Sequence, residues 1–365
     1  MRTLVLLFCV ALFSCSTIQP QAQTPEQSSL ATPELPTASL EGAGFNRDSI
    51  EFLLEAIQTT PHKDFRGLVV IKDNHIVLEE YYNTTWEKTV VDIRSAGKSI
   101  TALLLGVAIR EGLIESLDQN VYSLFSKKQK TSINEEYKEI KLRHVLDMAS
   151  GLDADTDNTA TAGHAIHWMA KDDWKTYLLN VPLKSQPGGR FVYADIHALL
   201  IGLAIEEAAG MSLKDYAQQK LFAPLGFEPI YWYTNAAKQT GAAGNLYLTT
   251  LDFAKLGMLI TNEGKWAGQQ IIQPDYIEAL ISSKNFPVSD WFFAADFYGM
   301  MWYKSKRTFG DNEVEYLFAS GNGGNQLIVV PDKELVIALT SSAYGTGYGQ
   351  GRTYAIMSKI FSAIE

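Results

Sequence analysis

Residues 4–13 form an unbroken apolar run behind a basic start at Arg2. The run is too short to cross a bilayer and reads as the core of an export signal, predicted over residues 1–15. Residues 16–42 are polar and aperiodic, punctuated by Pro20, Pro25, Pro33 and Pro36, which predicts a flexible linker. Structure is expected from about Asn46. Ile50, Leu53, Leu54 and Ile57 share one helix face, with Asp48-Ser49 as its cap and an end near Gln58. Two β-rich runs, 67–72 and 75–82, flank Asp73-Asn74 and predict a hairpin. Residues 95–111 are apolar on most sides, as in a buried helix. Helical patterns recur at 141–149, 167–180, 195–209, 212–222, 250–262 and 274–283. Strand patterns close the chain at 298–303, 315–320, 326–330 and 334–340, before a last helix over 354–364. Strands thus open and close the chain and helices fill its middle. The predicted class is α/β (α+β): an antiparallel sheet of five or more strands flanked by terminal helices, with a mostly helical region inserted. The folded domain is placed at 43–365. Its α/β part covers about 43–125 and 235–365, and its helical part about 126–234.

Composition narrows the function classes. The 365 residues are 46% hydrophobic and 20% charged, an ordinary globular balance. A net charge of -10 argues against nucleic-acid partners. With 17 Tyr, 17 Phe and 7 Trp there is ample material for an aromatic-lined cleft. The only cysteines, Cys9 and Cys15, lie in the export signal, so a disulfide framework and a cysteine metal site in the folded part are both excluded. Cys15 closes the apolar run in Leu12-Phe13-Ser14-Cys15, which resembles a bacterial lipobox, and the linker behind it has the character of a tether. The chain is expected to be exported, as a periplasmic protein or a membrane-anchored lipoprotein carrying its lipid on Cys15.

Three segments can carry chemistry. Ser95-Ala-Gly-Lys98 opens the buried helix, and positions three apart share a helix face, so the Lys98 amine can reach the Ser95 hydroxyl. A lysine in an apolar wall has its charged form disfavoured and can act as a base. Tyr193-Ala-Asp195 sits at the start of the 195–209 helix. There a phenol could relay a proton and Asp195 could serve as an N-cap. Ala319-Ser320-Gly321-Asn322-Gly-Gly ends a strand, where glycines allow close approach of a ligand to backbone, or simply a tight turn. Other constellations fail. A Gly-x-Ser-x-Gly elbow at Ser95 would need glycine where Ile93 stands. No histidine follows His197, and His164 with His167 lacks an obvious third ligand. The glycines at 345, 347, 349 and 351 leave no room for a dinucleotide fold before the chain ends and read as a Tyr/Gly loop. No cofactor and no metal are expected.

Together, Ser95-x-x-Lys98, the later Tyr193 and the Gly-rich turn resemble the serine β-lactamase and penicillin-binding-protein superfamily. The branch is that of class C β-lactamases, DD-peptidases, family VIII esterases and 6-aminohexanoate-dimer hydrolase. Arg94-Ser-Ala-Gly-Lys-Ser-Ile, Ile140-Lys-Leu-Arg-His-Val-Leu-Asp-Met-Ala-Ser-Gly-Leu, Leu221-Phe-Ala-Pro-Leu-Gly-Phe and Asp252-Phe-Ala-Lys-Leu-Gly-Met-Leu are similar to recurrent segments of that group. The resemblance implies a β-lactamase/transpeptidase-like fold, with Ser95 as acylated nucleophile, Lys98 as its activator and Tyr193 as second acid/base. The N–H groups of Ser95 and Asn322 would form an oxyanion hole. Asp195 stands where the group has an asparagine. Ala319-Ser320-Gly321 stands where it has Lys-Thr-Gly or His-Thr-Gly, which removes a substrate-carboxylate cation. The expected function is hydrolysis of ester or amide bonds of small molecules or short peptides, with β-lactamase activity weak. The rival is a catalytically weak or inactive ligand-binding lipoprotein on the same scaffold. The export reading has a direct check: the mature chain should partition into detergent, and Cys15→Ala should release it. A mature N-terminus beyond residue 16 carrying a free amine would end the lipoprotein reading.

Overall fold

Asp73 and Asn74 carry φ of 50° and 62°, the two left-handed conformations that a two-residue type I′ hairpin needs. They join β1 (Phe65–Lys72) to β2 (His75–Tyr81) in the computed structural model, which describes residues 34–126 and 133–365. The segment expected to be an export signal, with Cys9 and Cys15, and the expected linker as far as residue 33 lie outside the described residues. The remaining strands of the main sheet come late in the chain: β3 (Phe286–Pro287), β4 (Phe297–Gly299), β5 (Trp302–Phe309), β6 (Asn312–Gly321), β7 (Asn325–Val330) and β8 (Leu335–Ser341). Their order is β2-β1-β8-β7-β6-β5-β4-β3, with every neighbouring pair antiparallel. The first hairpin is therefore stitched to the last strand, through pairs such as Val69 with Ala338.

Side chains alternate across this sheet and bury both faces. On one face α4 (Thr250–Thr261) packs so closely that Gly257 lies against Val336, Leu327 and Val329, and Thr250 hydrogen-bonds Thr340 at 2.7 Å. On the other lie α1 (Arg47–Thr59) and α5 (Tyr348–Ser362), whose Gln350 accepts from the Gln326 amide at 3.0 Å. Helices α2 (Gly97–Arg110) and α3 (Asp195–Ala209) are buried on nearly all sides and pack on each other. Between them run short helices, among them Leu142–Leu146, Ala165–Trp168 and Trp174–Leu178, and Leu213–Ala217 follows α3. Among the described residues no single helix is long and apolar enough to cross a membrane.

The structure departs from the sequence expectations in several places. The cap of α1 is Asn46, whose side chain accepts from the Ser49 N–H, and not Asp48-Ser49. The linker ends earlier than expected: the Ala38 N–H bonds Ile76 O at 3.0 Å, the Ile76 N–H bonds Pro36 O at 2.8 Å, and Phe45 is buried. The 298–303 run is not one strand but the β4–β5 hairpin, turning at Met300 and Met301 with φ of 51° and 61°. Its backbone groups are satisfied from afar, Met300 N–H by the Asp147 carboxylate and Met301 N–H by Leu146 O, so no local turn residue marks it. The 167–180 helix is two short helices. The glycine-rich segment is a loop only as far as Gly347; Gly349 and Gly351 lie in the first turn of α5, where a side chain at Gly349 would sit 2.6 Å from Gly323 O.

Helix α3 is fastened at its start by His197, which is fully buried. Its Nδ1 lies 3.1 Å from Ala194 O and its Nε2 2.8 Å from the Ser150 hydroxyl. Burial presses its pKa from 6.5 down to about 4. The unfolded chain therefore binds this proton below about pH 6.5 while the native protein refuses it until about pH 4. Stability should be full above pH 6.5 and fall progressively towards pH 4, by up to roughly 3 kcal/mol. Urea unfolding at the two ends of that range should show the loss, and His197→Gln should flatten it. An equal loss in the variant would assign it to other groups.

Candidate active site

Ser95 sits in a single 3₁₀ turn, Arg94–Ala96, between the short strand Val91–Asp92 and α2. Arg94 has a left-handed φ of 53°, held by the buried Asp92 carboxylate. Oδ1 of Asp92 accepts the Arg94 N–H at 2.9 Å and Oδ2 faces Nε at 3.3 Å. The guanidinium stacks on Tyr344 at 4.1 Å. One turn on, the side chain of Lys98 comes back to Ser95 with Nζ 3.0 Å from Oγ. Lys98 is 1% exposed. Its Nζ also meets Ala243 O at 2.9 Å and Asp195 Oδ1 at 2.8 Å. Ala243 belongs to loop 241–245, which the buried Trp232 indole holds by donating to Gly241 O and Gly244 O, both at 3.0 Å. Thr101 adds a bond to Ala242 O at 2.8 Å.

The expectation of an apolar wall around Lys98 is thus corrected. Burial opposes its charge, but the Asp195 carboxylate and the Tyr193 hydroxyl outweigh burial and hold Lys98 above the usual lysine range. Asp195 is the first residue of α3 and not its cap, which is Ala194. Tyr193 precedes it in extended chain, positioned because the Val192 N–H bonds Met148 O and Tyr193 O accepts from Thr156 N–H. Its ring stands 5.2 Å from Lys98 Nζ and is stacked at 5.0 Å by Trp291, an exposed residue of the β3–β4 connection.

The third segment closes the other side. A side chain at Gly321 would lie 1.9 Å from Ile93 O, so the end of β6 rests directly on the Ser95 turn. Gln350 braces it from α5, donating to Gly321 O at 2.8 Å and receiving the Ser320 hydroxyl at 3.4 Å. No loop or cap carbonyl among the described residues accepts from the N–H of Ser95 or of Asn322. Asn322 lines a cleft of about 210 Å³ together with Ser95, Asp195, Arg94, Trp174 and Tyr233. Ala319 is buried within the sheet and takes no part in the cleft. Ser95, Lys98, Tyr193, Asp195, Gly321 and Asn322 are therefore brought together, while Ala319 and Ser320 support from behind. Sequence reasoning missed Arg94, Trp174, Tyr233, Trp291 and Gln350. Only Arg94 carried a local signal, its place beside Ser95. His164 caps a short helix and His167 bonds Thr159 O at 2.9 Å.

Comparison with known proteins follows the same lines. The family described as Beta-lactamase matches residues 55–359. A "Putative D-alanyl-D-alanine carboxypeptidase" of Escherichia coli O157:H7 is 26% identical over 216 residues, covering 53% of this chain and 49% of that protein. The chain spans about half the length of the curated relatives it matches. A solved structure, the "Putative 6-aminohexanoate-dimer hydrolase" from Bacillus anthracis, has a TM-score of 0.69 at 19% identity, over 89% of this chain and 86% of that one. A "putative beta-lactamase" from Bacteroides dorei reaches 0.69 at 17% identity, over 87% and 99%. At such identities the two structures speak for the fold, which is β-lactamase/transpeptidase-like as expected. The family match runs from the first helix of the sheet to the last, and on that ground the chain belongs to the Beta-lactamase family.

Proposed function

We propose that this protein is a serine hydrolase that cleaves ester or amide bonds of small molecules or short peptides through an acyl-enzyme on Ser95. The observation that carries the reading is the 3.0 Å approach of the buried Lys98 Nζ to Ser95 Oγ on the wall of an open cleft. In this reading Ser95 Oγ attacks the carbonyl carbon. The Ser95 proton passes to Tyr193 oxygen while Tyr193 gives its own proton to the leaving oxygen or nitrogen, so the phenol relays without changing charge. The N–H groups of Ser95 and Asn322 receive the oxyanion, and they are well suited because no loop or cap carbonyl among the described residues claims them. Water then reverses the sequence to release the acid. The names of the relatives, a carboxypeptidase and a dimer hydrolase, are both those of hydrolases. Export and a lipid on Cys15 remain part of the proposal.

Ser95→Ala should abolish turnover and the mass shift produced by a fluorophosphonate. Lys98→Ala should remove nearly all turnover. Groups acting as one unit give non-additive losses, so the double variant should be little worse than either single. Multiplication of the two losses would show that they act separately.

Substrate choice follows from Ala319. Its buried methyl offers no cation to a substrate carboxylate, and Arg307 and Arg352 are engaged by Asp296 and Asp64. A lost charge-assisted bond is worth roughly 1.5–3 kcal/mol, about one to two decades in rate. Neutral esters such as p-nitrophenyl butyrate should therefore be hydrolysed faster than penicillins or D-Ala-D-Ala peptides. The reverse order would point to Arg94, the arginine of the cleft, as the missing charge.

A further inference from the structure

The geometry points to Asp195 as a positioning residue, the counter-ion that fixes Lys98 as an ammonium, so that Lys98 serves Ser95 as a hydrogen-bond donor and never as its proton acceptor. This rests on the acyl-enzyme reading of Ser95 above.

An ammonium has three N–H donors and no lone pair, and an amine has two donors and one lone pair. Lys98 Nζ meets Asp195 Oδ1 at 2.8 Å, Ala243 O at 2.9 Å and Ser95 Oγ at 3.0 Å, with the Tyr193 hydroxyl beside them as a further acceptor. Were residue 195 an amide, an amine could donate to Ala243 O and to the amide oxygen. Its lone pair would then be left for the Ser95 hydroxyl. A carboxylate at 195 changes the balance. Removing the Lys98 proton would strand a negative charge against a nitrogen that is 1% exposed, with only 32% of the Asp195 side chain open to water. The titratable groups facing Lys98 are Asp195 and Tyr193 at the start of α3 and His197 one turn further on. His197 is neutral at working pH because burial holds it near 4, and loop 241–245 presents only the Ala243 carbonyl. Asp195 is therefore the carboxylate that balances the ammonium, with the Tyr193 hydroxyl assisting it. In acylation the Oγ–carbon bond forms as the bond to the leaving group breaks. The Ser95 proton leaves through Tyr193 to that group, and Lys98 keeps its own protons, donating to Oγ throughout.

The test compares wild type, Asp195→Asn and Asp195→Glu. Acylation by p-nitrophenyl acetate and Ser95 phosphonylation are followed from about pH 5 to about pH 10. The charge of Lys98 is read separately, from the ε-carbon resonance of ¹³C-labelled lysine. We expect the wild-type Lys98 resonance to remain that of an ammonium throughout, with no alkaline loss of rate below the ordinary lysine value of 10.5. In Asp195→Asn burial is opposed by the Tyr193 hydroxyl without the carboxylate, so the resonance and the alkaline limb should both move down by at least about one pH unit, with roughly a tenfold loss of rate near pH 9. Asp195→Glu should restore the limb. If Lys98 were instead the acceptor, Asp195→Asn would be faster at neutral pH, and that result overturns the proposal. So does a wild-type Lys98 that titrates below about pH 9, a measurement that needs no variant to fold. Failure of Ser95 to form any adduct in the wild type would instead remove the acyl-enzyme reading, and with it the catalytic half of the inference.

Discussion

A lysine nitrogen taken almost wholly out of water must find acceptors inside the protein, and that requirement organises the centre of this molecule. The cost of burying an unpaired ammonium is several kcal/mol, comparable with the whole stability of a domain. Three stretches far apart in sequence answer it: the turn at Ser95, the loop at Ala243 and the start of α3 at Asp195. Each is then fastened independently. Trp232 clamps the loop, His197 and Ser150 tie α3 to the 148–152 segment, and the end of β6 presses on Ile93. The inserted helical region is accordingly more than a cover for the sheet. It delivers Asp195 and Tyr193 to a site whose other half is built on sheet and α2.

The parts of the fold that were legible in the sequence are those whose periodicity answers to a single burial pattern. The β1–β2 hairpin was readable because Asp73-Asn74 tolerates left-handed backbone. Helix α2 was readable because it is apolar on nearly every side. The β4–β5 turn was hidden inside Tyr298-Gly-Met-Met-Trp-Tyr303, since its polar backbone is satisfied by Asp147 and Leu146, residues no local window contains. The start of α5 was hidden for the opposite reason. Gly349 is needed there for its contact with Gly323, and with the glycines around it the segment imitates a loop.

The candidate site was legible in its residue types and less so in its electrostatics. Ser95, Lys98 and Tyr193 converge, and Asn322 joins them at the cleft. Reading Lys98 among Ile100, Leu103 and Leu104 suggested an apolar setting, because a one-dimensional pattern shows a residue's neighbours on its own helix only. The carboxylate that meets Lys98 arrives from almost a hundred residues away, and the aromatic wall of Trp174, Tyr233 and Trp291 comes from three further segments. Such groups belong to no motif with Ser95, and only the folded chain assembles them.

The margins of the main sheet have a consequence for the protein in company. Segment 36–38 lies along the start of β2, and the rest of that strand carries Glu79 and Glu80. At the far margin β3 is two residues long and ends in Pro287, which has no N–H to offer. An exposed, regular margin is a template on which a neighbouring copy can extend the sheet. Here one margin is partly occupied and charged and the other is cut short. Among the described residues, the main sheet therefore presents little regular edge on which a second copy could extend it.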